Sequence, residues 1–244
     1  MSARPCVVIP AFNEAARLPA LLAELRLTLP DHDLVVIDDG SADATAEIAA
    51  QSGACVLRHP YNLGYGAALQ TGFKYALECG APWVVQMDAD GQHLPTEVPA
   101  LIAALASGDC DVAIGSRFLA PSGYEMGALR STGRQLIRAL GRLAKLDLTD
   151  PTSGFQALNR RALALYVGDW FPTDYPDVDV RLVAARSGLQ IREVAVRMAP
   201  GVRASTLHSG WKPLYYAYKM LLSLWAVTSN RPPPQPTPPN PPPA

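Results

Sequence analysis

The strongest constraint in this chain is an alternation. Four short, almost wholly apolar runs (residues 6–9, 34–37, 55–57 and 83–87) are each followed by a segment of helical period (14–27, 43–50, 65–77 and 98–106), and a fifth run follows at 112–115. Within the first helical segment Leu18, Leu21, Leu22 and Leu25 share one face. A strand that is apolar on both sides needs cover on both faces. The pattern therefore predicts an α/β fold, a mainly parallel sheet flanked by helices. A length of 244 residues suits one such domain with extensions.

Beyond residue 116 the pattern changes. Residues 118–127 read as a Gly/Pro-containing loop. Residues 128–144 have a helical pattern that sets Arg130, Arg134, Arg138 and Arg142 on one face. A strand within 151–158, a helix over 178–187 and a strand over 191–196 complete a domain spanning 1–210. An aromatic helix is expected over 213–227, within a segment 211–229. Its apolar stretch is interrupted by Lys219 and falls short of the roughly 20 residues a membrane span needs. Trp211, Tyr215, Tyr216, Tyr218 and Trp225, with Lys212 and Lys219, suit a helix lying on a bilayer; packing on the domain or on a partner subunit is the rival reading. The remainder, 230–244, has nine prolines in its last fourteen residues and reads as a disordered tail.

Composition excludes several classes. With 21 Lys+Arg against 22 Asp+Glu, no basic excess exists to grip nucleic acid through its phosphates. Cys6, Cys55, Cys79 and Cys110 form no C-x-x-C pair and read as reduced, buried thiols. MSARP leads straight into the first strand without a leader pattern, so a cytoplasmic protein is expected. Gly64-x-Gly66 has Leu69 where a dinucleotide fingerprint needs its third Gly, and it is not in the first strand–helix turn, which argues against NAD.

In an open parallel sheet, ligands bind at the carboxyl ends of the strands. The segments expected there are Pro10–Glu14, Asp38–Ser41, 59–64, Asp88–His93 and Gly115–Arg117. Each alone suits a turn or a helix cap. Together they give one acidic rim with an arginine. The Asp88-Ala89-Asp90-Gly91-Gln92 loop is the sharpest part. Oxygen ligands from Asp90, Asp88 and the Gln92 amide suit Mg²⁺ or Mn²⁺, which completes its shell with phosphate oxygens and offsets charge on a departing diphosphate.

The stretch from Cys6 to about Val196 resembles a family 2 glycosyltransferase of GT-A fold, in the branch of dolichyl- and polyprenyl-phosphate mannose or glucose synthases. The motifs are VVIPAFNEA (7–15), VVIDDGSADAT (35–45), HPYNLGYGAALQTGF (59–73), VVQMDADGQHLP (84–95), AIGSRF (113–118), DPTSGFQALNRRA (150–162) and YPDVDV (175–180). The resemblance implies an inverting transfer from a nucleotide-diphosphate sugar. It implies that Pro10, Ala11, Asn13, Glu14, Asp38 and Asp39 hold the nucleotide. It further implies that Asp90 and Gln92 take the metal, and that Asp88, with Ala89 beside it, lies near the ribose and diphosphate. Arg117 falls near the transferring centre, where that branch holds an acceptor phosphate. Arg130 and Arg134 are further candidates, and Arg203 and His208 are candidate phosphate contacts. SGFQ carries Gln156 where that branch usually has Arg.

Asp177 stands eleven residues before Gly188, where relatives that glycosylate hydroxyls carry a base. A polyprenyl phosphate is already ionised and needs no base, and Asp177 then serves only to cap a helix. Three readings follow. The acceptor is a polyprenyl phosphate, presented at the cytoplasmic face of the inner membrane. Alternatively it is a saccharide or lipid hydroxyl, with Asp177 as base. In the third, the chain binds nucleotide sugars as a non-catalytic scaffold. The sequence leaves the sugar, the nucleotide and the oligomeric state open.

Overall fold

A computed structural model describes residues 4–119 and 148–199, together with Leu222 and Ser229. The arginine-bearing segment 128–144, with Arg130 and Arg134, lies outside the described residues. So do Arg203, His208, the aromatic segment (but for Leu222 and Ser229) and the Pro-rich tail.

The chain runs β1 (Cys6–Ala11), α1 (Leu18–Thr28), β2 (Asp33–Asp38), α2 (Thr45–Gln51), β3 (Cys55–Arg58), α3 (Tyr65–Glu78) and β4 (Trp83–Gln86). It continues with a single 3₁₀ turn, then α4 (Val98–Ala106), β5 (Val112–Ser116), β6 (Gln156–Asn159), α5 (Arg160–Tyr166), α6 (Val178–Arg186) and β7 (Ile191–Ala195). The strands form one sheet in the order β3-β2-β1-β4-β6-β5-β7. All pairings are parallel except those of β6, which runs antiparallel to both β4 and β5. The mainly parallel sheet expected from the alternation is present, made mixed by β6.

Period-two alternation divides the core. Val8, Val35, Ile37 and Val84 point to one face, under Leu69 and Phe73 of α3 and Tyr166 of α5. Val7, Ile9, Val36 and Val85 point to the other, under Leu18, Leu22 and Leu25 of α1 and Leu101 of α4. The central strands are mostly apolar because both faces are covered; Gln86 of β4 and Gln156 of β6 are the buried exceptions. Gly72 of α3 lies close against the sheet: a β-carbon there would sit 2.5 Å from Val8 Cγ1 and 2.7 Å from Ile37 Cδ1.

Three local expectations change. The first helix begins at Leu18 rather than residue 14, because Arg17 N and Leu18 N both donate to Glu14 O in a separate turn. The strand within 151–158 is confined to Gln156–Asn159, since Ser153 N turns back to Asp150 O. Helix α5 was not anticipated. Asn159 starts it as an N-cap, its side chain accepting from Ala162 N, and this Asn before an apolar-periodic run is a legible signal. Of the cysteines, Cys6 and Cys110 are buried, Cys55 is half-buried and Cys79 is exposed at the end of α3. Burial pushes the Cys6 thiol up to about 12, so it stays protonated and inert.

Candidate active site

The carboxyl ends of β1, β2, β4 and β5 share one rim. Because β6 is antiparallel, the 150–155 loop that precedes it reaches the same rim. The β1 and β2 ends are clipped together. Asn13 is the one described non-glycine residue at positive φ (56°); its N donates to Ser41 Oγ and its Oδ1 accepts from Ala42 N. Glu14 N donates to Thr45 Oγ1, and its carboxylate pairs with Arg17 at 2.9 Å. Pro10 and Ala11 close β1 as buried residues.

Asp38 and Asp39 are both buried. Asp38 Oδ1 accepts from Ser41 N, and Oδ2 lies 3.1 Å from Arg58 Nε. Asp39 accepts from Leu63 N, Gly64 N and His59 Nδ1, the last at 2.7 Å. His59 is anchored from behind by Thr71 Oγ1. These carboxylates thus shape the backbone of a cleft of about 330 Å³, lined by Gly40, Ser41, Arg58, His59 and Pro60.

The β4 end is built differently. Asp90 Oδ1 accepts from Gln92 N, and Oδ2 accepts from Gln92 Nε2. Gly91, at φ 79°, makes this tight turn, and a β-carbon there would meet nothing within 4 Å. Asp88 Oδ1 accepts from the Tyr65 hydroxyl at 2.6 Å, while Oδ2 lies 3.7 Å from His93 Nε2. His93 accepts the Asp88 N–H at Nδ1 and stacks on Phe155, ring centroids 4.8 Å apart. Among the described residues no three His, Cys, Asp or Glu side chains form a ready-made metal cage. Asp88, Asp90 and the Gln92 amide nonetheless supply hard oxygen donors from one loop. That set suits a Mg²⁺ or Mn²⁺ that takes its other ligands from phosphate. Seating a cation between Asp90 and Gln92 requires the amide to turn its oxygen inward.

Arg117 is held in a two-pronged pair with buried Asp150, Nε at 2.8 Å and Nη2 at 3.1 Å. Asp150 N and Thr149 N are in turn held by Glu193 of β7. Asp177 occupies the N-cap position of α6, but its side chain does not cap that helix. Asp179 Oδ1 accepts from Asp177 N and Val180 N instead. Burial is the largest influence raising the Tyr65 phenol, and the Asp177 charge is the smallest.

The parts played by His59, His93 and Tyr65 are not visible in the sequence pattern. His59 meets Asp39 and Tyr65 meets Asp88 across twenty or more residues, and His93 stacks on Phe155; periodicity has no access to such pairings. Gly66 belongs to the same class. Its N–H and that of Ala67 donate to the Asp174 and Thr173 carbonyls, and a β-carbon at Gly66 would overlap the Pro172 carbonyl oxygen.

Residues 6–166 match the model of glycosyl transferase family 2. The chain belongs to that family. An undecaprenyl-phosphate mannosyltransferase of Micrococcus luteus is 35% identical over 205 residues, 79% of this chain and 82% of the relative. A polyprenol monophosphomannose synthase of Mycolicibacterium smegmatis is 33% identical over 172 residues, 66% of this chain and 63% of the relative. The fold is that of solved GT-A glycosyltransferases. Glucosyl-3-phosphoglycerate synthase of Mycobacterium tuberculosis, crystallised with Mn²⁺, UDP and glucosyl-3-phosphoglycerate, superposes with a TM-score of 0.71 at 23% identity, covering 93% of this chain and 81% of that one. This family 2 glycosyltransferase is thereby an enzyme of sugar transfer. Among its described residues no helix is long and apolar enough to cross a membrane.

Proposed function

We propose that this glycosyltransferase moves a sugar from a nucleotide-diphosphate sugar to a polyprenyl phosphate, with inversion at the anomeric carbon and dependence on Mg²⁺ or Mn²⁺. The observation that carries the reading is the β4 loop, which gathers Asp88, Asp90 and Gln92 at the carboxyl end of β4, on the rim where β5 ends in Arg117. The names of the similar mannosyltransferases support the acceptor.

When bound, a divalent cation supplies Lewis-acid stabilisation of the departing nucleoside diphosphate. Asp90 and Gln92 are the residues proposed to hold it, with Asp88 adjoining. Asn13, Glu14, Asp38 and Asp39, with Pro10, Ala11 and Ala89, line or shape the donor side. Arg117, oriented by Asp150, contributes positive charge where two phosphate groups must approach one another. An ionised phosphate oxygen attacks the anomeric carbon directly, so no protein base is required.

The test is a panel of GDP- and UDP-sugars with Mn²⁺ or Mg²⁺, scoring nucleoside diphosphate release with and without a short polyprenyl phosphate. Metal-dependent release stimulated by the lipid phosphate is expected. Binding of donors without release under any condition would overturn the reading in favour of a non-catalytic nucleotide-sugar-binding protein.

A second reading draws on Asp177, whose side chain does not cap α6 and whose charge reaches Tyr65. If the acceptor is a hydroxyl, Asp177 is its base. Asp177→Asn then costs about 10²–10⁴ in rate. Near-normal turnover on polyprenyl phosphate in that variant would reject the second reading.

A further inference from the structure

Four side chains join into a line at the centre of the rim, Gln86 and Gln156 buried, Tyr65 and Asp88 half-buried. Gln86 and Gln156 stand directly opposite each other in the antiparallel β4–β6 ladder, on the face that α3 covers. Gln156 Nε2 lies 2.6 Å from Gln86 Oε1, Gln86 Nε2 lies 3.0 Å from Tyr65 Oη, and Tyr65 Oη lies 2.6 Å from Asp88 Oδ1. Chemistry fixes the direction of this line. An ionised carboxylate only accepts, so Tyr65 must donate to Asp88. The phenol oxygen then accepts, so Gln86 must present its NH₂. Its carbonyl therefore faces Gln156, which must also present its NH₂. Every donor points toward Asp88, and bonds in such a series strengthen one another.

We propose that Tyr65 is a positioning residue of the transfer site: backed by Gln86 and Gln156, it fastens Asp88 through Oδ1 and turns Oδ2 toward the space where a divalent cation and the donor diphosphate bind. The Gly154 backbone closes over the same junction. A β-carbon there would sit 3.0 Å from Tyr65 Oη, 3.3 Å from Asp88 Oδ2 and 3.4 Å from Gln86 Nε2. The loop before β6 thus limits where Asp88 can move. Asp90 has no such backing; both of its oxygens are engaged by its own turn. The two carboxylates differ accordingly, one fixed by the core and the other free to rearrange with Gln92. The inference rests on the metal-dependent transfer proposed above.

Tyr65→Phe removes the hydroxyl and keeps the ring. Outer hydrogen-bond partners of a metal site typically carry about 10–100-fold in affinity. Mn²⁺ alone, titrated into the full chain and followed by electron paramagnetic resonance, should bind about 10-fold more weakly to Tyr65→Phe, with a smaller loss in Gln156→Leu. On the donor that the wild type turns over, kcat should fall while the acceptor KM is unchanged. Should Tyr65→Phe not fold, Gly154→Ala presses on the same three atoms from the loop and should weaken Mn²⁺ in the same direction. A purely structural Tyr65 would lower Tm and leave Mn²⁺ affinity of the folded protein as in the wild type, which overturns the relay and leaves the transfer reading standing. Mn²⁺ bound and weakened as described, with no donor consumed by any form, overturns the transfer reading and leaves the relay. A wild type that binds no Mn²⁺, either alone or with a nucleoside diphosphate present, overturns both.

Discussion

The two halves of the rim use the same residue type for opposite ends. At β1–β3, Asp38 and Asp39 are buried and committed, Asp39 to three donors at once. At β4, Asp88 and Asp90 are partly exposed, and their partners orient them without covering them. A carboxylate is a four-acceptor group. Where the protein's own donors fill it, it builds backbone; where they fill half of it, it is presented to something else. The DDGS turn therefore makes the wall of the cleft, and the DAD loop makes the edge proposed to be reactive.

The contrast can be broken most sharply on the reactive edge. Asp90→Asn should lower kcat/KM for nucleoside diphosphate release by about 10²–10³-fold, the scale of one lost electrostatic contact to a developing charge. Its urea midpoint should stay near that of the wild type. Asp39→Ala should act first on stability. It leaves two backbone N–H groups and His59 without their buried acceptor, at a cost of about 3 kcal/mol in unfolding free energy read from urea denaturation. If Asp39→Ala were as stable as the wild type, the division into wall and edge would fail.

The smallest effect is expected at the opposite end of the sheet. Burial, as the largest influence, holds the His32 imidazole below its ordinary value of 6.5. The unfolded chain then binds more protons than the folded one below pH 6.5, so this contribution is present above that pH and is lost as pH falls through it. Comparing pH 7 with pH 5, His32→Gln should flatten the stability profile slightly and leave sugar transfer unaltered.

Much of the fold was legible because the central strands are covered on both faces, and unbroken apolar runs such as VVI announce that. The antiparallel β6 was not legible in direction. Its residues Gln156–Asn159 alternate no differently from a parallel strand, and only the pairing Gln86↔Gln156 fixes it. The rim residues were legible as a set, since Asp, Asn, Gly and Ser after each strand fall at the carboxyl ends. Their division of labour was not. Asp39 and Asp88 look alike in sequence, and what separates them is whether Leu63, Gly64 and His59, or only Tyr65, reach them across the fold.

Gly66 also constrains any redesign of the stretch before Asp177. That stretch is moored by two main-chain carbonyls, Thr173 and Asp174, on the opening turn of the helix that bears Tyr65. A transplanted loop would inherit that mooring. It would have to offer two carbonyls at the same spacing over a side-chain-free residue, or leave the helix start untied and loosen the tyrosine behind Asp88.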